Sequence, residues 1–268
     1  MKETFRVIPQ IGTLNLLGRI AVFLFVLSVP GLAAAQPDSF DVPLKKKVVD
    51  FGQSPYYPGG NVRMKLSCYF YSTFMVKEYD EGQKGAEWLS IVPVNTRTTP
   101  ECTLSHDAGE KVIEEPEWGG YFKGAKGNLV FFHAADGTNG GMPFVVYDAR
   151  TGTKVFQDAY YDARMWNRKI ASSPFNRLRV RNAPDGQVLL IYLRVIEAGC
   201  DLHKEMAFCW EQVRKNLEVK RSQTPVCSDY GNVRTRWTSA VAYPVEVSLF
   251  PQPATKTIDG PVKCWPVD

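Results

Sequence analysis

The stretch from Val62 to Phe70, "VRMKLSCYF", constrains the fold more than any other part of the chain. Val62, Met64, Leu66, Cys68 and Phe70 alternate with Arg63, Lys65, Ser67 and Tyr69. Side chains of an extended chain point in turn to opposite faces, so this rhythm predicts a half-buried strand with Cys68 on its inner face. The segments "EWLSIVPV", "NLVFFHAA", "PFVVYDA", "TKVFQDA", "RLRVRN", "QVLLIYLRVI", "RWTSAVAY" and "VEVSLF" have the same composition, β-branched and aromatic between Gly, Pro, Asn and Asp. Short strands at this spacing predict a mainly β fold of antiparallel meander sheets, sandwich-like or irregular propeller-like.

One segment departs from that rhythm. "DLHKEMAFCWEQVRKNLEVK" places Met206, Cys209, Val213 and Leu217 on one helical stripe with Trp210 beside it. It predicts one amphipathic helix near 203–218, with Asp201 as its N-cap and Lys215, Lys220 and Arg221 suited to its negative end. Residues 36–60, rich in Pro and Gly, read as an irregular segment with a short extended piece near Val48, and the tail from Phe250 reads as Pro-rich extended chain. Residues 61–268 then form a single β-rich domain.

The N-terminus predicts the compartment. Lys2, Arg6 and Arg19 precede the apolar run "IAVFLFVLSVPGL", and "AAAQ" follows at Ala33 to Gln36. That order is the plan of a secretory signal, with cleavage expected after Ala35. The run falls short of the ~20 apolar residues a spanning helix needs, and Pro30 and Gly31 interrupt it. No later apolar run is as long, so no membrane span is expected once the leader is gone, and the location is periplasmic or secreted. The formal net charge of the whole chain is +4, and three of its cations lie in the leader. So balanced a charge argues against a nucleic-acid partner.

All six cysteines, Cys68, Cys102, Cys200, Cys209, Cys227 and Cys264, lie beyond the leader. An even number in an exported chain reads as disulfides. Cys68 with Cys102 is the pairing expected, leaving the other four to knit the C-terminal third together. The competing drawing is a zinc site of Cys200, His203, Cys209 and Cys227, whose irregular spacing and oxidising setting count against it.

Motifs of chemistry are scarce. The loop "DGTNGG" at 136–141 lies between two strand patterns, and its Asp-Gly and Asn-Gly steps suit tight reversals. A helix-loop-helix calcium loop would need oxygen side chains at its fifth and twelfth positions, where Gly140 and Tyr147 stand. It reads as a turn. The adjoining "YDARTGTKVF" is similar to the strand–turn–strand piece of β-propeller blades. The Tyr-Asp pairs at Tyr79 and Tyr147 lie farther apart than the ~40–45 residues of a blade repeat, which argues against a regular propeller. His106, His133 and His203 form no HExxH, and neither Gly-x-Ser-x-Gly nor Ser-x-x-Lys occurs. No metal or cofactor is expected.

The most uneven charge lies between Asp162 and Asp185, where Arg164, Arg168, Lys169, Arg177, Arg179 and Arg181 stand without an acid. With the neighbouring rings, Tyr160, Tyr161, Arg164, Trp166, Arg168 and Lys169 are the candidate ligand-binding residues. Aromatics beside cations suit an envelope glycan, an anionic surface or an acidic protein partner. The competing reading makes Arg177, Arg179 and Arg181 the solvent side of a strand whose Leu178 and Val180 are buried. The function expected is a non-catalytic, exported binding or interaction domain of the cell envelope. The alternative is a hydrolase of an extracytoplasmic polymer working through two carboxylates, drawn from acids such as Asp136, Asp148, Asp158 and Asp162, brought together by the fold.

Overall fold

Alternation becomes two sheets, antiparallel but for one short parallel pair. The computed structural model describes residues 39–94, 99–113, 118–137, 139, 141–163, 175, 177–220, 224–232 and 238–267. The first sheet holds β1 (Lys45–Gln53), β2 (Arg63–Phe70), β3 (Phe74–Asp80), β4 (Trp88–Pro93) and β5 (Lys111–Ile113), each antiparallel to the next. The second is built from β6 (Gly120–Lys126), β7 (Leu129–Ala134), β8 (Gly141–Asp148), β9 (Thr153–Tyr161), β10 (Arg179–Asn182) and β11 (Val188–Glu197). The helix α1 (Met206–Asn216) comes next, and β12 (Val226–Cys227), β13 (Ser239–Ser248), β14 (Ala254–Thr257) and β15 (Lys263–Pro266) follow it. In space the order runs β12, β15, β13, β11, β9, β8, β7, β6, with β10 on β11 and β14 on β13. The fold is mainly β, as the alternation predicts.

Strands β7 and β8 bury both faces. Phe131, Phe144 and Val146 enter one core, under α1. Val130, Phe132, Val145 and Tyr147 enter another, where Phe74, Val76, Leu89 and Ile91 of the first sheet meet them. The two sheets therefore pack against each other in the sandwich-like manner. Farther along the second sheet the same alternation sends Tyr160, Tyr192 and Val241 to the α1 side and Tyr161, Leu193 and Ala242 to a separate cluster on the opposite face.

The cysteines pair as Cys68–Cys102, Cys200–Cys209 and Cys227–Cys264. The first is the expected pair, and the other two lie in the C-terminal third. The zinc drawing loses three of its four ligands to these disulfides, since Cys200, Cys209 and Cys227 are all bonded.

Two expectations are corrected and two are made more definite. Within residues 36–60 the extended piece expected near Val48 is β1, a nine-residue strand held by its pairing with β2 despite three lysines and a glycine. "RWTSAVAY" and "VEVSLF" are not two strands, because β13 runs through Pro244. Pro244 sits where the partner on one side changes from β15, which pairs with residues 239–242, to β14, which pairs with residues 245–248. The missing amide thus falls between two ladders. The Pro-rich tail, expected to be extended, forms β14 and β15. Finally, α1 is shorter than 203–218. Asp201 accepts from the amides of His203 and Lys204 at 3.0 and 3.2 Å in a separate turn, and Glu205 stands at the N-cap without a side-chain bond.

The segment before β1 is clipped to the second sheet. Asp41 takes the amide of Gly127 at 2.7 Å and the ammonium of Lys126 at 2.9 Å, and its own amide donates to Ala125. Phe40 packs edge-on to Phe131 and fills the space where a Cβ on Gly124 would lie, 2.4 Å from its ring. Gly124, at φ +152° in a bulge of β6, is glycine for that reason.

One polar network crosses the α1 side of the second sheet. Tyr192 donates to Asp158 at 2.5 Å, and Arg194 Nε donates to the same carboxylate at 3.1 Å. Burial, reinforced by the Asp158 charge, pushes the Tyr192 phenol well above its usual 10.0, and burial also raises Tyr243. Burial raises Tyr71 to about 12. Phenols with raised folded pKa values stabilise the fold fully below the unfolded value and lose that contribution as pH climbs through the folded one. Denaturant midpoints are therefore expected to hold steady up to about pH 9 and to fall from about pH 10 to pH 12. Tyr192→Phe should flatten part of that fall; an unchanged alkaline slope in the variant would count against the assignment.

Candidate functional site

A pocket of about 270 Å³ opens at the end of the second sheet where β12 meets β15. Period two explains its walls. In the parallel pair β12–β15, Val226 lies opposite Lys263 and Cys227 opposite Cys264. Cys227 and Cys264 thus point to the α1 side, where they bond, while Val226, Ser228, Lys263 and Trp265 turn to the other face and line the pocket. Tyr161, last residue of β9, joins them there, and the small side chains of Ala240 and Ala242 on β13 belong to the same cluster.

The pocket floor is aromatic. The rings of Tyr161 and Trp265 lie 5.5 Å apart at 48°, and the Lys263 ammonium sits 4.1 Å from the Tyr161 ring centre. A cation at that distance over a buried ring face is held by the ring quadrupole. Trp265 donates its indole N–H to the carbonyl of Asn139 at 3.0 Å. The loop at 136–141 joins β7 to β8, and through Asn139 it also fixes the ring that walls the pocket. Its Thr138 and Gly140 lie outside the described residues. The rim is formed by Asp229, Pro261 and Val226, which is 73% exposed. Asp229 takes φ +66°, where Asp is one of the few tolerated side chains, and so ends β12.

Of the residues predicted to bind, Tyr161 forms the floor of this pocket. Tyr160 points the other way, into the α1 core, and does not line this pocket. Arg164, Trp166, Arg168 and Lys169 lie outside the described residues. Farther on, Leu178 and Val180 are buried while Arg179 and Arg181 are half-buried, with Arg181 bonded to Glu246 at 2.9 Å. That matches the solvent-side reading of these arginines. Lys263, Trp265, Ser228 and Asp229 are pocket residues that the sequence alone does not single out. The signal that finds them is the Cys227–Cys264 pairing, which brings "VCSD" against "VKCWP".

A second constellation surrounds Lys77 on β3. Its side chain is fully buried, with the ammonium 2.7 Å from Asp107 and 3.2 Å from Glu110, and it donates to the Ser105 carbonyl at 2.8 Å. Glu110 also accepts from Ser90 at 2.5 Å and from the Asp107 amide at 2.7 Å. His106 packs on Trp88 beside them, its Nδ1 3.9 Å from Glu110. Two carboxylates around one ammonium have the look of a catalytic acid pair, but the Glu110 side chain is 1% exposed and both acids are committed to Lys77. The arrangement instead ties the segment 99–110 onto the first sheet, next to the Cys68–Cys102 bond.

The meander acids are likewise committed. Asp148 holds the turn into β9 by accepting from the amide and guanidinium of Arg150, whose proximity lowers its pKa. Asp136 bonds Lys84 and the Gly137 amide, and Asp158 belongs to the Tyr192 network. No described helix is long and apolar enough to cross a membrane. No protein-family model, curated protein or solved structure matches the chain.

Proposed function

We propose that the chain is an exported binding domain of the cell envelope and that its ligand enters the pocket on the face of β12 and β15 that turns away from α1. The observation that carries this reading is the aromatic floor of Tyr161 and Trp265, with Lys263 laid over it, at a site where the edge strand β12 is locked to β15 by a disulfide. Three disulfides fit an oxidising compartment, and the basic, apolar and small-residue leader fits export. The rings are only 2% and 3% exposed, so they present edges rather than an open face. That favours a ligand with an apolar end inserted between Val226 and Pro261 over a sugar ring stacked flat. Lys263 favours a polar or anionic group near that end.

The test is the native mass of the full chain purified from its own host's export fraction. A mass retained under native conditions and lost on denaturation is expected. Val226→Trp, a change at an exposed rim position, should reduce its occupancy at least about tenfold. The reading fails if nothing is retained, or if the variant retains the same mass equally well.

A further inference from the structure

We propose that the outer edge of β1 is a strand-addition site for an extended, acidic segment of a partner protein. Strand β1 is outermost in its sheet: β2 pairs with it on one side, and on the other it meets no backbone partner among the described residues. An outermost strand presents a row of N–H and C=O groups that a further extended chain satisfies. The edge is also long, nine residues, and its pairing with β2 is regular from Lys45 to Asp50 before the bulge at Gly52.

Its side chains say which chain fits. Leading into it, Val42 and Leu44 are 86% and 77% exposed, and Val48 within it is 49% exposed. Between them stand Lys45, Lys46 and Lys47, all exposed. The ammonium of Lys45 lies over the Phe70 ring at 5.8 Å and that of Lys46 over Tyr69 at 4.8 Å, both on β2. These two lysines lean inward across the sheet, so they lend positive charge to the outer edge without standing in front of its backbone.

A run of lysines on an edge ordinarily guards it against self-association. In an antiparallel pairing of two copies across this run, ammonium would face ammonium, and like charges directly opposite destabilise the pair. The same charges attract an acidic strand. The occupant that meets both features is therefore an extended segment alternating apolar and acidic residues. Its apolar side chains cover Leu44 and Val48 on one face, and its carboxylates face Lys45 and Lys47 on the other.

The experiment uses the full chain as its host exports it and a blocked synthetic peptide of alternating Glu and Val, equal in length to β1, as the probe. Binding is expected to slow hydrogen exchange at the outward-facing amides of residues 45–50 by about tenfold or more, leaving the β2-bonded amides as they were. Affinity should fall with salt, and a variant carrying Lys45→Glu, Lys46→Glu and Lys47→Glu should lose binding while keeping its melting temperature. Binding that leaves β1 exchange unchanged overturns the proposal, as does equal binding by the reversed-charge variant. Self-association of the free chain through β1 would overturn it too. So would capture by anionic vesicles that displace the peptide without protecting any amide, which would make the surface a membrane contact.

Discussion

Lys77→Ala is expected to cost about 3–5 kcal/mol of folding stability, because it leaves a buried carboxylate without its countercharge. The Lys77 side chain has no exposure and that of Glu110 has 1%. With the ammonium gone, Glu110 keeps, among the described residues, the Ser90 hydroxyl and the Asp107 amide as donors, with His106 Nδ1 3.9 Å away. Two neutral donors do not offset the removal of a charge from water. The double variant Lys77→Met with Glu110→Gln removes the fully buried charges together, leaving the 28%-exposed Asp107 to solvent, and should recover more than half of the loss, since replacing a buried pair by uncharged groups is often near neutral. Urea midpoints of the three proteins measure this directly. A loss below about 1 kcal/mol for Lys77→Ala would mean that water enters behind Trp88 and solvates Glu110. Hydrogen exchange in residues 99–110 adds a local reading, because that segment should open first in the single variant.

How far the sequence reveals this molecule depends on which residues carry their own signal. Leu66, Cys68 and Phe70 stand at strict period two, and β2 is where they predict it. Strands β7, β8 and β9 are equally plain, each bounded by turn residues. Strand β1 shows in the sequence only as a short extended piece near Val48, because "KKKVVDFGQ" has no buried face of its own; β2 makes it a nine-residue strand. Lys77 is hidden for a related reason. It lies at period two with Met75 and Tyr79, where a charge looks like a solvent-side residue until Asp107 and Glu110 arrive from a distant loop. The pocket is half legible. Tyr161 stands out for its aromatic and basic surroundings, yet the residues that meet it come from β12 and β15, and only the disulfide pairing joins those segments. Tyr160 stands out on the same grounds yet lies away from the pocket, because neighbours on a strand face opposite ways.

Removing the Cys227–Cys264 bond by Cys227→Ser with Cys264→Ser is expected to cost about 3–4 kcal/mol and to abolish retention of the native ligand. The bond closes a sequence separation of 37, against 9 for Cys200–Cys209. Loop-closure entropy grows with that separation, so the double serine variant of the shorter pair should lose only about 2.5 kcal/mol. Cys68–Cys102, with a separation of 34, is the informative control. Its loss should cost nearly as much stability as that of Cys227–Cys264, yet it lies in the first sheet, away from the pocket. Strand β12 is two residues long and holds to β15 by the Val226 and Ser228 amides, each donating at 2.9 Å. So short an edge strand frays readily without a covalent tie, and Val226 and Ser228 would leave the pocket wall with it. Urea midpoints and native masses of the three variants therefore separate two roles. Equal stability losses for the two long bonds, with ligand lost only from the Cys227–Cys264 variant, would place binding at β12–β15. Ligand retained by that variant, or lost equally from the Cys68–Cys102 variant, would move the binding site elsewhere on the chain.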